Sequence, residues 1–338
     1  MKYLAIFFCL LMLGGCYRDE AISGQWSDEF YVSHEGADFP VWVRGNKESG
    51  VFILYIHGGP GGSSLRDAIG RTLRDLEEKY AVVYFDQRIS GYAHGKRTAK
   101  DLTVDQMVED VDVILEFIRF KYAPESFFLF GHSWGGYLGT AYLLEHQEKI
   151  NGWIEGAGAH NFPLTMELEI AYVTAFAQAE IAANSEDKEY WQEALNWLGD
   201  NPDLNTLDKV LKVNSFAQRA DGKKDEESAY EPPAVFAQFT APVSLGSSQE
   251  LIINQLEDVI LNGNLNPQMG TITTPALFIY AEYDAVVPKG LAQNGYDFIG
   301  TPPEDKSIVI MQRDGHGLWE VEPQLFAQAV SGFVEAYK

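Results

Sequence analysis

Residues 130–136 read FGHSWGG and place a serine between two glycines, Gly131 and Gly135. Glycine lets the backbone bend more sharply than a residue with a Cβ atom allows. In the pattern G-x-S-x-G this bend joins a strand to a helix and exposes the serine, an arrangement called a nucleophile elbow. The apolar run SFFLFG before the motif and YLGTAYLLEH after it fit that strand and that helix. The motif therefore predicts an α/β fold with Ser133 at the end of a buried strand.

Other segments of the chain predict a doubly wound, mainly parallel sheet. A hairpin over FYVSHEG and FPVWVRG opens it, and helical patterns alternate with the strands that follow. Continuous apolar runs, typical of buried strands, begin at Val51, Ala81, Asn151, Thr274 and Ser307. Helices are predicted over 65–79, from Val104 (with Thr103 as N-cap) to the residues before Pro124, and over Pro323–Tyr337.

The alternation of strands and helices stops between Ala159 and Thr271. Strand-like runs are absent there, and helical patterns such as EIAYVTAFAQAEIAA and YWQEALNWL replace them. We therefore expect a helical cap over 159–271, inserted into a core formed by 26–158 and 272–338.

The N-terminal stretch MKYLAIFFCLLMLGGC combines one basic residue, a short apolar run and small residues that end at Cys16. The run is too short to cross a bilayer as an ordinary helix, which favours a signal peptide over 1–15. LGGC resembles the lipobox of bacterial lipoproteins, in which the cysteine is lipidated and becomes the new N-terminus; a plain signal peptide is the alternative. We expect a tether over 16–25 and a lipid anchor at Cys16 in the cell envelope. Tyr17 follows the cysteine at a position where an aspartate would indicate inner-membrane retention, so the resemblance implies the outer membrane.

The composition limits the partners and cofactors of the chain. It has 25 Lys and Arg against 49 Asp and Glu, a formal net charge of −24, and such a surface repels nucleic acid. Both cysteines, Cys9 and Cys16, lie in the N-terminal stretch, so the mature domain has no disulfide. The motifs HExxH and CxxC do not occur, so we expect no catalytic metal and no cofactor.

A serine hydroxyl becomes a good nucleophile only when a base takes its proton and an acid orients that base. Of the seven histidines, His316 follows the late strand SIVIMQ and precedes the last helix. The acid should end the preceding strand, LFIYAEYD, which favours Asp284, with Glu282 and Asp314 as alternatives. We predict that Ser133, Asp284 and His316 form a catalytic triad.

Attack by the serine creates an oxyanion that backbone N–H groups must stabilise. The residue after the nucleophile, Trp134, should supply one of them. The glycine-rich loop HGGPGGSS, which begins at His57, should supply the second. We expect the N–H of Gly59 to be this donor, with Gly58 as the alternative.

Three segments together resemble the proline iminopeptidase family of α/β-hydrolases. They are HGGPG at 57–61, DQR at 86–88 and GHSWGG at 131–136. The resemblance covers almost the whole mature chain and is most specific in the core. It implies an α/β-hydrolase fold and a serine peptidase that removes N-terminal residues from short peptides.

The DQR segment has a structural role in that family, where it supports the site from a neighbouring strand. The resemblance therefore implies structural roles for Asp86 and Arg88. The family usually continues DQRGxGxS, whereas this chain reads DQRISGYA, so Ile89 replaces a glycine. We expect this replacement to alter the floor of the pocket.

The resemblance also implies that acidic residues of the cap bind the free ammonium of the substrate, because a buried ammonium needs a carboxylate partner. Glu167 and Glu169 lie in the first cap segment, and Glu155 lies near the strand that leads into it. No motif distinguishes them from other surface acids.

We therefore expect a lipid-anchored serine hydrolase that acts on small peptides as an aminopeptidase. A carboxylesterase that uses the same three residues on small acyl esters is the alternative. An inactive lipoprotein that binds its ligands on a hydrolase scaffold is the alternative from another class. Epoxide hydrolases are disfavoured because they normally have an aspartate where this chain has Ser133.

Overall fold

The computed structural model describes residues 26–70, 73–95, 98–221 and 244–338. The predicted signal peptide, Cys16 and the tether all lie outside the described residues. Within those ranges, no helix is long and apolar enough to cross a membrane.

One mixed sheet forms the centre of the described chain. Its strands are β1 (Trp26–His34), β2 (Ala37–Gly45), β3 (Val51–Ile56), β4 (Ala81–Phe85), β5 (His94–Gly95), β6 (Ser126–His132), β7 (Gly152–Gly156), β8 (Ala276–Ala281) and β9 (Lys306–Met311). Their order is β1-β2-β4-β3-β6-β7-β8-β9, with β5 paired to β2. β2 is antiparallel to β1, β4 and β5, whereas the neighbouring pairs from β4 to β9 are parallel. The predicted mainly parallel sheet with an N-terminal hairpin is confirmed.

Helices cover the sheet and form the segment between β7 and β8. They are α1 (Leu65–Gly70), α2 (Arg74–Glu77), α3 (Val104–Tyr122), α4 (Trp134–His146), α5 (Phe162–Ala182), α6 (Lys188–Asp200), α7 (Leu207–Asp221), α8 (Ser244–Gln255), α9 (Glu257–Asn262), α10 (Asn266–Met269), α11 (Gly290–Phe298) and α12 (Pro323–Tyr337). The predicted helix over 65–79 is described as two short helices, α1 and α2. The sequence patterns did not indicate α11.

The ends of α3 follow from local sequence. The hydroxyl of Thr103 accepts a hydrogen bond from the N–H of Gln106 at 3.2 Å, as an N-cap does. Ala123 ends the helix in the left-handed conformation, directly before Pro124. One face of the helix is buried, and it contains Met107, Val108, Val111, Ile114, Leu115 and Ile118. The predicted start and end of this helix are both confirmed.

The helices between β7 and β8 pack on one another and on a loop of the sheet. In α5 every fourth residue is buried, over Thr165, Glu169, Val173 and Ala177. Val173 and Ala177 join a small apolar core with residues of α6 and α7. The same core includes Ala285, from the loop after β8. The helical segment, called the cap below, is therefore attached to the edge of the sheet where β8 ends.

A buried ion pair joins the loop after β4 to α3. Arg88 Nη2 lies 2.5 Å from Asp110 Oδ1, and Arg88 Nε lies 2.8 Å from Asp110 Oδ2. Both side chains are almost inaccessible to solvent. Burial raises the pKa of Asp110, although the Arg88 guanidinium opposes this rise. The two-point contact fixes the loop that contains DQR to the helix.

Asp110→Ala is expected to lower the free energy of unfolding by about 3–5 kcal/mol, because it leaves the Arg88 guanidinium buried without a counter-charge. The double variant Arg88→Met with Asp110→Leu should recover most of this loss, since it removes both charges together. Urea denaturation followed by tryptophan fluorescence measures both changes.

Asp105→Ala, at an exposed position of the same helix, is the matched control. It should change the free energy of unfolding by about 1 kcal/mol or less. An Asp110→Ala variant as stable as this control would contradict the importance assigned to the ion pair.

Candidate active site

Ser133 lies at the turn between β6 and α4, with φ 57° and ψ −121°. Residues with a side chain rarely adopt this backbone conformation, and it persists only where surrounding contacts fix it. The N–H of Ser133 donates to the carbonyl of Gly156 at 3.1 Å. Its carbonyl accepts from the N–H groups of Gly136 and Ala159, at 2.8 and 3.1 Å. These hydrogen bonds hold the serine in the conformation expected of a nucleophile elbow.

Close packing requires the glycines on either side of Ser133. A Cβ atom at Gly131 would overlap the carbonyl of Gly135, and one at Gly135 would overlap the carbonyl of Ile56 in β3. Glycine lets β3, β6 and the first turn of α4 approach this closely. Backbone contacts therefore explain the sequence pattern around the serine.

His316 lies in the loop between β9 and α12, and its ring contacts Asp284 in the loop after β8. The Nδ1 atom of His316 is 3.0 Å from Oδ2 of Asp284. The Oδ1 atom of Asp284 accepts from the N–H groups of Val286 and Val287, each at 2.8 Å. The side chain of Asp284 is fully buried, whereas 22% of the His316 side chain is exposed. Asp284 is thus fixed by its own loop and orients an imidazole that solvent can reach.

The two alternative acids have other partners. Glu282 forms an ion pair with Lys289. Asp314 accepts a hydrogen bond from the N–H of Val321 at 2.7 Å and so shapes the loop that contains His316. Of the three acids, Asp284 is the one that bonds the imidazole.

His132, the last residue of β6, contacts His316 through its ring and through a hydrogen bond. Its Nε2 atom donates to the carbonyl of His316 at 2.8 Å, and the two ring centroids are 4.8 Å apart. Burial and the charge of His316 lower the pKa of His132 to about 3. His132 therefore stays neutral at ordinary pH, and it fixes the main chain of His316 to the strand that precedes Ser133.

The surroundings of His316 favour its protonated form. Burial lowers the pKa of its imidazole, but the charge and hydrogen bond of Asp284 oppose this, as do the charges of Asp221 and Glu169. The net result raises the pKa of His316 to about 9. Burial and three carboxyl groups therefore act in opposite directions on how readily this ring accepts and releases a proton.

The glycine-rich loop predicted to stabilise an oxyanion lies beside Ser133. Gly59 has φ 131°, and the Gly59–Pro60 peptide bond is cis. Gly59 and Trp134 line the same cavity as Ser133. Within the described ranges the N–H of Gly59 donates to no backbone carbonyl. The N–H of Trp134 belongs to the first turn of α4, where a helix offers its N–H groups no acceptor. The alternative, Gly58, packs against the serine, since a Cβ there would lie 2.9 Å from the Cβ of Ser133.

Gln87 connects the glycine-rich loop to Trp134, a role that the sequence pattern did not indicate. Its N–H donates to Nε2 of His57 at 3.1 Å, and its Nε2 donates to the carbonyl of His57 at 2.8 Å. Trp134 Nε1 in turn donates to Oε1 of Gln87 at 3.0 Å. Gln87 therefore sets the relative position of the two segments that contain the predicted oxyanion donors. Its place inside DQR marked the segment as structural but did not indicate this role.

Asp86 fixes the same loop from its other end. Its carboxylate accepts from the N–H groups of Ser64 and Tyr92, each at 2.7 Å, and from the hydroxyl of Ser63 at 2.9 Å. Ile89, where the family usually has glycine, is buried and has φ 63°. Among the described residues that line the cavity beside Ser133, Ile89 does not occur, so any effect of the replacement on the pocket floor would be indirect and stays a prediction.

A cavity of about 450 Å³ lies between the cap and the edge of the sheet where Ser133 lies. Ser133 and His316 form part of its wall from the core, and residues of α5, α7 and α8 form part from the cap. Apolar side chains make up much of the rest, and they include Phe162, Met166, Val210, Leu211, Ile253, Ile260, Val286 and Val287. The cavity suits a small ligand with an apolar portion.

The structure separates the acidic residues that the sequence suggested for ammonium binding. Glu169 lines the cavity, and its carboxylate accepts from Nδ2 of Asn214 at 2.8 Å. Burial raises the pKa of Glu169 to about 8. Glu167 is exposed and does not line the cavity. Glu155 contacts His160 and Tyr280 in a separate buried cluster, so Glu169 is the one of the three that faces the site.

Asp221, at the end of α7, is a second carboxyl group of the cavity wall. Burial and the charge of Asp284 raise its pKa to about 7. No motif marks this residue among the many acids of the chain, so it could not be identified from the sequence. In the part of the chain that the structure describes, no group of three or more His, Cys, Asp or Glu is arranged to hold a metal ion.

Comparisons with known proteins agree with this architecture. A family model described as serine aminopeptidase, S33, matches residues 48–324. Proline iminopeptidase of Thermoplasma volcanium is 26% identical over 281 residues, which cover 79% of this chain and 83% of that protein. Proline iminopeptidase of Saccharolobus solfataricus is 24% identical over 303 residues, which cover 87% and 86%.

A solved structure shows the same fold. The crystal structure of proline iminopeptidase from Mycobacterium smegmatis matches with a TM-score of 0.66 at 17% identity, over 92% of this chain and 98% of that chain. Together with the sheet order, this match confirms the predicted α/β-hydrolase fold.

Proposed function

Because the chain belongs to the serine aminopeptidase S33 family of α/β-hydrolases, we propose that it is a serine hydrolase that releases N-terminal residues from short peptides. One observation carries this proposal. Ser133 and His316 line one cavity, and Asp284 bonds the imidazole of His316 at 3.0 Å, although the three residues are far apart in the chain. The similarity to two proteins named proline iminopeptidase supports the peptidase activity.

In the proposed first step, Ser133 Oγ attacks the carbonyl carbon of the scissile amide while Nε2 of His316 takes the hydroxyl proton. Asp284 stabilises the resulting imidazolium through its hydrogen bond to Nδ1. The carbonyl oxygen becomes an oxyanion, which accepts hydrogen bonds from the N–H groups of Gly59 and Trp134. Each of these donors lowers the barrier by about 3 kcal/mol.

In the second step the imidazolium gives its proton to the leaving nitrogen and the C–N bond breaks. The shortened peptide leaves with its new amine, and the acyl group remains on Ser133 as an ester. A water molecule then loses a proton to His316 and attacks that ester. The proton passes to Ser133 Oγ as the acid product leaves, so Ser133 and His316 return to their starting forms.

We propose that the carboxylate of Glu169 binds the free ammonium of the substrate. Burial holds much of this carboxyl group in its protonated form at neutral pH, with a pKa of about 8. A bound ammonium would lower that pKa, because an adjacent positive charge favours the carboxylate. The apolar wall formed by Phe162, Met166 and Val210 would then receive the side chain of the N-terminal residue.

A lipid on Cys16 is proposed to hold this hydrolase in the cell envelope, at the outer membrane. The support for this anchor is the sequence LGGC followed by the polar residues from Arg18. Attached acyl chains tether a domain to a membrane without embedding it.

Ser133→Ala is expected to lower kcat/KM for prolyl p-nitroanilide by about 10⁴-fold or more while the protein stays folded, because the nucleophile is removed. Release of p-nitroaniline and circular dichroism measure the two properties. Ser215→Ala, exposed on α7, is the control and should keep wild-type activity. Wild-type turnover by the Ser133 variant would contradict the assigned nucleophile.

An assay of the wild-type protein on p-nitrophenyl butyrate distinguishes the peptidase from the two alternatives, a carboxylesterase and an inactive binding protein. If the protein hydrolyses this ester but not the anilide, the proposed peptidase activity is wrong and the protein is a carboxylesterase. A protein that turns over neither substrate and does not react with a fluorophosphonate would be an inactive binding protein.

Glu169→Gln should lower kcat/KM for prolyl p-nitroanilide by about 10²-fold, because a neutral amide cannot pair with the ammonium. The same variant should hydrolyse p-nitrophenyl butyrate, which has no amine, at close to the wild-type rate. Glu167→Gln, an exposed position two residues earlier on α5, is the matched control for both substrates. Equal losses on both substrates would show that Glu169 does not recognise the amine.

Cys16→Ser is expected to abolish incorporation of radiolabelled palmitate in a bacterial host and to release the protein from the membrane fraction. Lipidation needs the cysteine thiol, which serine lacks. Cys9→Ser, in the predicted signal peptide, is the control and should leave labelling unchanged. Continued palmitate labelling of the Cys16 variant would rule out the proposed anchor.

A further inference from the structure

Asp221 is buried at the end of a cap helix, yet its hydrogen bonds lead to the core. Its Oδ1 atom accepts from the N–H of Ala285 at 3.1 Å. Its two oxygens also lie 3.2 and 3.1 Å from the N–H of His316. One carboxylate of α7 therefore joins the residue after Asp284 to the main chain of His316.

The chain around these contacts is shaped for the carboxylate. A Cβ at Gly315 would lie 2.8 to 3.0 Å from the carboxyl atoms of Asp221, so glycine there makes room for it. Ala285 belongs to the small apolar core of the cap. A further hydrogen bond joins the cap to the same loop, from the hydroxyl of Tyr172 to the carbonyl of Tyr283 at 3.2 Å.

Three groups hold His316, and they come from three different parts of the fold. Asp284 holds Nδ1, His132 holds the carbonyl, and Asp221 holds the N–H. The first two belong to the core and the third belongs to the cap. The orientation of this residue therefore depends on a cap helix as well as on the sheet.

We propose that Asp221 is a positioning residue, which ties the cap to the loops of Asp284 and His316 and thereby orients the imidazole. This inference rests on the proposed function of Ser133 and His316. In this role the cap helps to assemble the site, and it also forms part of the cavity wall. Asp221 acts on the reaction through His316 and is not assigned a contact with the substrate.

Asp221 also acts on His316 by its charge. The titratable groups that face His316 are Asp284 after β8, Asp221 on α7, Glu169 on α5 and His132 on β6. The carboxylates raise the pKa of His316, so removal of the Asp221 charge should lower it. Because Ser133 needs a neutral imidazole, its reactivity rises with pH through the pKa of His316. A variant without this charge should show that rise at a lower pH.

The test is the rate at which a fluorophosphonate labels Ser133 in the full-length protein, measured from pH 6 to about pH 10, together with kcat and KM for prolyl p-nitroanilide. Asp221→Ala should lower the limiting rate at high pH, and kcat, by about 10-fold to 100-fold, with a smaller change in KM. Asp221→Asn keeps a hydrogen-bond acceptor, so it should label faster than the alanine variant and shift the pH profile downward. Asp200→Ala and Asp200→Asn, exposed at the end of α6, are the matched controls.

The outcomes separate the proposed roles. If both Asp221 variants are labelled at the wild-type rate and with the wild-type pH profile, the positioning role is wrong and the proposed function is unaffected. The positioning role is also wrong if labelling is unchanged but KM for the amine-containing substrate rises, because Asp221 would then bind the substrate. A wild-type protein that does not label at any pH would instead overturn the proposed function. If Asp221→Ala does not fold, the pH profile of Asp221→Asn decides the question.

Discussion

The hydrogen bond between the imidazole of His316 and the carboxylate of Asp284 is the interaction on which the site depends. It makes Nδ1 a donor, so that in the proposed mechanism Nε2 is the nitrogen that exchanges a proton with Ser133. The bond requires that residues following β8 and β9 meet at one edge of the sheet, and the proposed site also needs Ser133, which follows β6, at that edge. The parallel order β6-β7-β8-β9 provides this, because parallel strands end at the same edge.

The second constraint is electrostatic. Asp284, Asp221 and Glu169 surround one imidazole, and burial raises the pKa of Glu169 to about 8 and that of Asp221 to about 7. The charge of the cavity therefore changes near neutral pH, and it becomes more negative as pH rises through these values. The net charge of the whole chain, −24, has the same sign. Both properties support the proposed binding of a substrate ammonium in this cavity, because a negative field attracts a cation and repels a carboxylate.

Local sequence predicted what local interactions determine. The ends of α3 follow from Thr103 and Pro124, and the turn at Ser133 follows from its glycines, so both could be identified without a structure. Residues whose roles depend on distant contacts could not be identified from the sequence. Gln87 and Asp221 gain their roles from partners that the fold brings to them, and an acid in an acidic chain carries no local signal.

The choice between Glu167 and Glu169 also belongs to the second case. Glu169 shares a buried face of α5 with Thr165, Val173 and Ala177, all at four-residue spacing. Pro163, Ala171 and Ala175 stand at the same spacing around Glu167 and are also small or apolar, so the helical period did not distinguish the two faces. The packing of α5 against the rest of the fold, and the cavity that Glu169 lines, make the difference.

The most direct test of the account is the site at which a fluorophosphonate attaches, located by mass spectrometry of proteolytic peptides from the wild-type protein and from His316→Ala. We predict one adduct in the wild-type protein, on Ser133, and almost none in the variant, because the serine would lack its base. An adduct on another residue, or equal modification of Ser133 in both proteins, would contradict the claim that His316 activates Ser133.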